Sequence, residues 1–144
     1  MDEKLAHRIR EDANEYGATT KRPRDIIHID LPMLSFLCRV GGVEQLVLTH
    51  LDIAYPEVPI KVCVAYKQGK KTVGYRPDQE FLNTVTPEYI ELPSWDGKAL
   101  VGVSEFAKLP QAAQQYCAFI SQALETELLM VTTGAKRREA VRWL

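Results

Sequence analysis

No stretch of this 144-residue sequence reaches the ~18 consecutive apolar residues of a membrane span, and the opening "MDEKLAHRIRED" is charged throughout, without the apolar centre of a secretory signal. Both absences predict a soluble, cytoplasmic protein with no membrane contacts. Neither sign of charge is in excess: 18 basic residues face 19 acidic ones, for a net charge of -1 and a pI near 6.3. Such a chain has no general pull toward nucleic acid, so any anion site must be a local cluster. Cysteine is scarce and odd in number. Cys38, Cys63 and Cys117 lie far apart, each in an apolar run, which excludes a disulfide framework and a cysteine zinc site and predicts free buried thiols. His7 and His28 have no partner at metal-ligand spacing, so no metal site is expected. The phosphate-cradling GxxxxGK[ST], the dinucleotide GxGxxG, the zinc-protease HExxH and the nucleophile-elbow GxSxG are missing, as are internal repeats and low-complexity tracts.

What is present is a chain of 46% hydrophobic residues, enough for one core, which predicts a single domain over residues 1–144. Leu5, Ala6, Ile9 and Ala13 recur at helical spacing and predict a short amphipathic helix over 2–13. Asp30 stands as an N-cap ahead of Pro32, and Leu34, Leu37 and Cys38 lead to a Gly41-Gly42 stop, a second helix. "QLVLTHLDI", 45–53, reads as a strand buried on both faces, which favours a parallel sheet. "IKVCVAYK", 60–67, and "KTVGYRP", 71–77, flank Gln68-Gly69-Lys70 as a hairpin, and "EYIEL", 88–92, adds a strand. Residues 93–108, with Trp95, Gly97 and Gly102, read as a surface loop. Pro110 opens a helix with Ala113, Tyr116, Cys117, Ile120 and Leu124 on one face, and an apolar strand through "ELLMV" follows. The order is that of an α/β fold: a mostly parallel β-sheet flanked by helices, with a β-hairpin, and ligand sites beyond the carboxyl ends of its strands.

Three polar runs carry chemistry. In "NEYGATTKRPRD", 14–25, Thr19 and Thr20 bring hydroxyl and backbone donors while Arg22 and Arg24 bring forked donors that suit a carboxylate or phosphate. The run is therefore either an anion loop or a pair of solvated arginines beside threonines that end an element. Asp52, at the end of "VLTHLDI", offers two acceptor oxygens that match the adjacent N–H donors of a guanine edge, and equally suits a turn or helix cap. His50 shares its face if the strand continues, as a base, a ligand or a structural histidine. Thr132-Thr133-Gly134 follows "LLMV" and is able to wrap a base or phosphate with backbone groups. The basic Lys136, Arg137 and Arg138 read as a solvated face.

The motifs "NEYGATTKRPR", "VLTHLDI", "IKVCVAYK", "KLPQAAQQY" and "VTTGAKRRE", in this order from about Ile9 to the end, resemble the C-terminal part of the adenylosuccinate synthetase family. That family joins IMP to L-aspartate with GTP and magnesium: the γ-phosphate moves to the purine 6-oxygen and the aspartate amine displaces it. The resemblance implies that Gly17, Ala18, Thr19 and Thr20 close over the carboxylates of aspartate, with Arg22 holding that anion and reaching the IMP ribose. Arg24 contacts GTP or orders the loop. His50, Leu51 and Asp52 form the guanine-recognition run, with Thr132, Thr133 and Gly134 on the other side of the base.

The departures are specific. Lys21 replaces a glycine of the loop, so an unusual backbone angle there is harder to reach. His50 replaces a lysine, Ala135 replaces a proline, and "DIIHID" replaces a basic, tryptophan-containing run. The family's Gly-Asp-Glu-Gly-Lys phosphate and magnesium segment is absent, and with it the catalytic aspartate and histidine. The expectation is a fragment or shortened relative of the synthetase, inactive alone and without catalytic residues of its own. The alternatives are a non-catalytic nucleotide-binding or regulatory module, or half of a split enzyme. Expected partners are GTP, IMP and L-aspartate, with a complementing N-terminal chain or a second copy.

Overall fold

The computed structural model describes residues 1–143. α1 (Glu3–Ala13) starts where the Asp2 carboxylate accepts from the Lys4 and Leu5 amides, and ends at Asn14 in the left-handed region, φ 52°. A two-residue strand, β1 (Ile29–Asp30), runs straight into α2 (Leu31–Gly41), whose N-cap is Asp30: its Oδ1 accepts from the Met33 amide at 3.0 Å. The other Asp30 oxygen accepts from the Tyr66 hydroxyl, so one carboxylate fixes a helix start to a strand. Gly42, φ 60°, closes α2. The predicted first two helices are both present.

β2 (Gln45–Leu48), β3 (Ile60–Gln68), β4 (Lys71–Val73), the one-turn α3 (Gln79–Leu82) and β5 (Thr86–Leu92) follow. α4 (Gln111–Leu124), β6 (Glu127–Thr132) and β7 (Ala140–Arg142) complete the chain. One sheet holds β5 along one side of β3, with β1 and β4 in succession along the other; the second runs β2-β6-β7. The α/β class stands, but the sheets are mixed rather than mostly parallel. Pairing is parallel for β1 with β3 and β2 with β6, and antiparallel for β3 with β4, β3 with β5 and β6 with β7. Connection length decides this: Gly69-Lys70, with Gly69 at φ 60°, joins β3 to β4 as a tight hairpin, whereas the parallel β2 and β6 are far apart in sequence with α4 between them.

Two further expectations are corrected. The strand from 45 stops at Leu48 and is not buried on both faces, because β2 is a sheet edge and Gln45 and Val47 point to solvent. The segment 93–108 is not merely surface loop, since Trp95 and Leu100 are buried in the larger apolar cluster and two 3-10 turns, Gly97–Leu100 and Phe106–Lys108, order it. Apolar residues spaced irregularly gave no periodic signal there.

α4 joins the two halves of the core. Its Ala113 and Cys117 pack with Leu51, Trp95, Leu100, Leu128, Val131 and Val141, while its Ile120 and Leu124 pack with Leu31 and Val62. The spacing of four, three and four residues puts all four on one face of the helix, as the sequence predicts. Fully burying a side chain such as Ile120 stabilises the fold by about 1.5–3 kcal/mol. All three cysteines are buried free thiols; burial pushes Cys63 up to about 11 and Cys117 to about 12, well away from reactivity at neutral pH. Among the described residues no helix is long and apolar enough to cross a membrane.

Candidate functional site

The run 14–25 is a closed loop rather than an open strand end. Tyr16 pairs with Pro23 as an antiparallel bridge, the Gly17 amide donates to the Arg22 carbonyl at 2.8 Å, and the Lys21 amide donates to the Gly17 carbonyl at 3.0 Å. Gly17 faces inward on this turn: a Cβ there would stand 3.1 Å from Thr20 Oγ1. Ala18, Thr19, Thr20, Lys21 and Arg22 project to solvent at the tip. Lys21 takes φ 55°, the left-handed angle that glycine adopts without cost, so the departure noted in the sequence falls where the backbone demands most.

The two arginines are not equivalent. Arg24 Nη1 lies 2.8 Å from Glu15 Oε2, its amide donates to the Glu15 carbonyl, and its own carbonyl accepts from Arg10 Nε at 2.9 Å. Arg22 is exposed at the tip, and among the described residues its guanidinium has no hydrogen bond or ion pair. Arg22 is therefore the loop arginine available to an incoming anion.

The turn 49–53 is built against the end of β6. The Leu51 amide donates to the Thr132 carbonyl at 3.0 Å and the His50 amide to Thr132 Oγ1 at 3.2 Å. His50 takes φ 61°, which ends strand alternation, and the Ile53 amide closes the turn on the His50 carbonyl. It is this turn, not a continuing strand, that brings His50 and Asp52 to one cleft. Leu51 is a core residue, 3% exposed, and its carbonyl accepts from Trp95 Nε1 at 2.8 Å, so it anchors the turn. Gly97 packs against the next peptide, where an added Cβ would sit 1.9 Å from the Asp52 carbonyl oxygen.

The cleft is lined by Asp12, Ala13 and Asn14 from the end of α1, by Thr49, His50, Asp52 and Ile53, and by Thr132, Gly134 and Ala135. Asp52 Oδ1 is buried and has no hydrogen-bond partner among the described residues. Thr133 turns away from the cleft: it is 4% exposed, and its amide and hydroxyl both donate to the Glu139 carbonyl. The Glu139 carboxylate accepts from the Lys136 amide and occupies the space that a side chain at position 134 would need, 2.4 Å from the added Cβ. A second cleft shares Asp52 and is walled by Arg8, Asp12, Tyr55, Asp96 and Lys98. There the Arg8 guanidinium lies over the Tyr55 ring, 3.6 Å from its centroid, and burial followed by the hydrogen bond to Asp12 pushes the Tyr55 hydroxyl up.

The two polar runs thus meet through α1 and its cap, and the meeting residue is one that the sequence reading left without a role. Glu15 sits between Arg24 and His50, with its Oε1 3.3 Å from His50 Nε2. Trp95, Gly97 and Glu139 were also missed as supports. Glu15 stood inside the NEYGATTKRPR run, but nothing in a single sequence marks a carboxylate as shared by two distant side chains.

The family model for adenylosuccinate synthetase matches residues 1–141. The chain belongs to the adenylosuccinate synthetase family. It is 37% identical over 142 residues to the adenylosuccinate synthetase of Salinibacter ruber, covering 98% of this chain and 32% of that protein. With the enzyme of Symbiobacterium thermophilum it shares 37% over 141 residues, 94% of this chain and 33% of the relative. The structure of fully ligated adenylosuccinate synthetase from Plasmodium falciparum superposes with a TM-score of 0.92 at 27% identity, covering 100% of this chain and 35% of that one. The chain thus spans about a third of the length of the synthetases it matches.

Proposed function

We propose that this chain supplies the aspartate-loop and guanine-recognition part of a GTP-dependent ligase that joins IMP and L-aspartate into adenylosuccinate in AMP synthesis, and that it does not catalyse the reaction alone. Asp52 carries the proposal. A buried carboxylate oxygen without a donor is costly, and a ligand bringing N–H groups into the cleft relieves that cost. The guanine edge brings two adjacent donors, whereas adenine offers a ring-nitrogen acceptor at the equivalent place, so the same group that binds guanine rejects adenine. His50, Thr132 and Gly134 wall the base, while Leu51 and Thr133 hold the turns from behind. Arg22 supplies the bidentate cation for the aspartate carboxylates and reaches toward IMP, with Gly17, Ala18, Thr19 and Thr20 enclosing the ligand. Arg24, already held by Glu15, orders the loop rather than touching GTP.

Among the described residues no group of three or more His, Cys, Asp or Glu side chains is placed to hold a metal. Magnesium, which accompanies GTP in the family, finds no such cluster among these residues. Proton transfer at the purine 6-oxygen falls to the portion of the synthetases that this chain does not span. The cytoplasm, where free thiols persist, is the proposed location. Calorimetric titration with GTP and ATP tests the reading: GTP binds at least about tenfold more tightly, a difference of about 1.4 kcal/mol, and Asp52→Ala abolishes the preference. Equal affinities for the two nucleotides would sink it.

A further inference from the structure

Glu15 is where the arginine loop and the base turn are tied together. Its backbone follows the left-handed Asn14 cap of α1, so the helix end aims its side chain, which is only 22% exposed, into the gap between the loop and the turn. One carboxylate oxygen takes Arg24 at 2.8 Å and the other faces His50 Nε2 at 3.3 Å. Arg24 closes the stem of the loop through its amide on the Glu15 carbonyl, and the closing bonds of Gly17 and Lys21 lie directly above that stem. His50 is bound in turn to the end of β6 through Thr132 Oγ1. A shift of the turn that carries His50 and Asp52 must therefore either drag the carboxylate or break a contact at the loop stem.

We infer that Glu15 is a positioning residue that couples the base cleft to the Gly17–Arg22 loop, so that filling the cleft changes the order of the loop and anion capture at the loop changes affinity in the cleft. The inference rests on the reading of the cleft as a base site. Coupling of this kind is reciprocal, since each ligand biases the same linked element. It also explains the division of labour between the arginines: Glu15 takes the charge of Arg24 and leaves that of Arg22 for the ligand.

Amide hydrogen exchange of the intact chain tests the link without any ligand. His50→Ala lowers protection at the Gly17 and Lys21 amides by at least about twofold, the lower end of coupling between contacting residues, while amides in α4 keep theirs. Glu15→Gln does the same, and adding His50→Ala to Glu15→Gln costs no more. His50→Lys, which places an N–H donor beside the carboxylate again, restores protection. Wild-type protection in His50→Ala, or full additivity in the double variant, overturns the link. Adding GDP then tests the ligand half. It moves the His50 and Asp52 amide signals and raises protection of the loop in the wild type, whereas in Glu15→Gln the cleft signals move and the loop does not respond. Unmoved cleft signals in the wild type overturn the base-site reading and the ligand coupling together, while the exchange cycle decides the Glu15 link separately.

Discussion

The indole nitrogen of Trp95 donates to the carbonyl oxygen of Leu51 over 2.8 Å inside the core, across 44 positions of sequence. This bond fixes the middle of the turn that presents His50 and Asp52, because Leu51 has its amide on Thr132 and its carbonyl on Trp95. Trp95→Phe keeps most of the apolar bulk and removes the donor, leaving a buried carbonyl unpaired. The expected loss is about 1–3 kcal/mol of unfolding free energy, read from urea denaturation with an unchanged slope. Wild-type stability in Trp95→Phe would mean that the Leu51 carbonyl finds another partner.

Gly97 packs one step further along the same turn. With an added Cβ placed 1.9 Å from the Asp52 carbonyl oxygen and 2.6 Å from its carbon, Gly97→Ala forces the backbones apart. Overpacking of this sort typically costs about 1–3 kcal/mol. Because the displaced peptide is that of Asp52, nucleotide affinity falls as well. Gly74, where an added Cβ meets nothing within 4 Å, is the control: Gly74→Ala leaves both measurements near wild type.

Trp95 and Gly97 mark the limit of what was legible in the sequence. α1 and α2 begin at aspartate caps, α2 ends at a glycine stop, and α4 follows Pro110 with a regular apolar stripe, so all three lie where local chemistry places them. The hairpin of β3 and β4 follows from its glycine turn. Sheet direction was not legible, because parallel or antiparallel pairing depends on which strands meet, and no single strand carries that information. Trp95 and Gly97 looked like loop because they lie outside any periodic pattern, yet their contacts with Leu51 and Asp52 are long-range. The site residues themselves were legible as donors and acceptors; their commitments were not. Arg22 and Arg24 are the same residue type two positions apart, and only the fold shows that Glu15 already holds one of them.

Lys21 stands in the left-handed region at φ 55°, a strain of about 1–2 kcal/mol for a residue with a Cβ. Lys21→Gly relieves it, and the greater freedom of glycine in the unfolded chain returns about 0.4–1 kcal/mol of that. A net gain of roughly half to one kcal/mol is expected from the difference of these two terms. Lys21→Ala separates backbone from charge: it removes the ammonium, keeps the Cβ and shows no gain. If both substitutions stabilise the chain equally, charge rather than backbone geometry is the source.

His28 gives the fold a pH dependence of defined sign. Its ring meets Tyr89 edge-on with centroids 5.4 Å apart, and burial, followed by the N-terminal amine and Lys61, holds its pKa below the ordinary 6.5. The folded state therefore binds the proton less readily than the unfolded chain, and protonation favours unfolding. The contribution of His28 is fully present above pH 6.5 and is lost as pH falls through the lower folded value. Thermal midpoints should fall between pH 7.5 and 5.5 in the wild type and fall less in His28→Gln, whose amide at position 28 does not titrate. His7 and His50 are common to both proteins, so the difference between the two curves isolates His28. Parallel curves, or a steeper fall in the variant, would reverse the assignment.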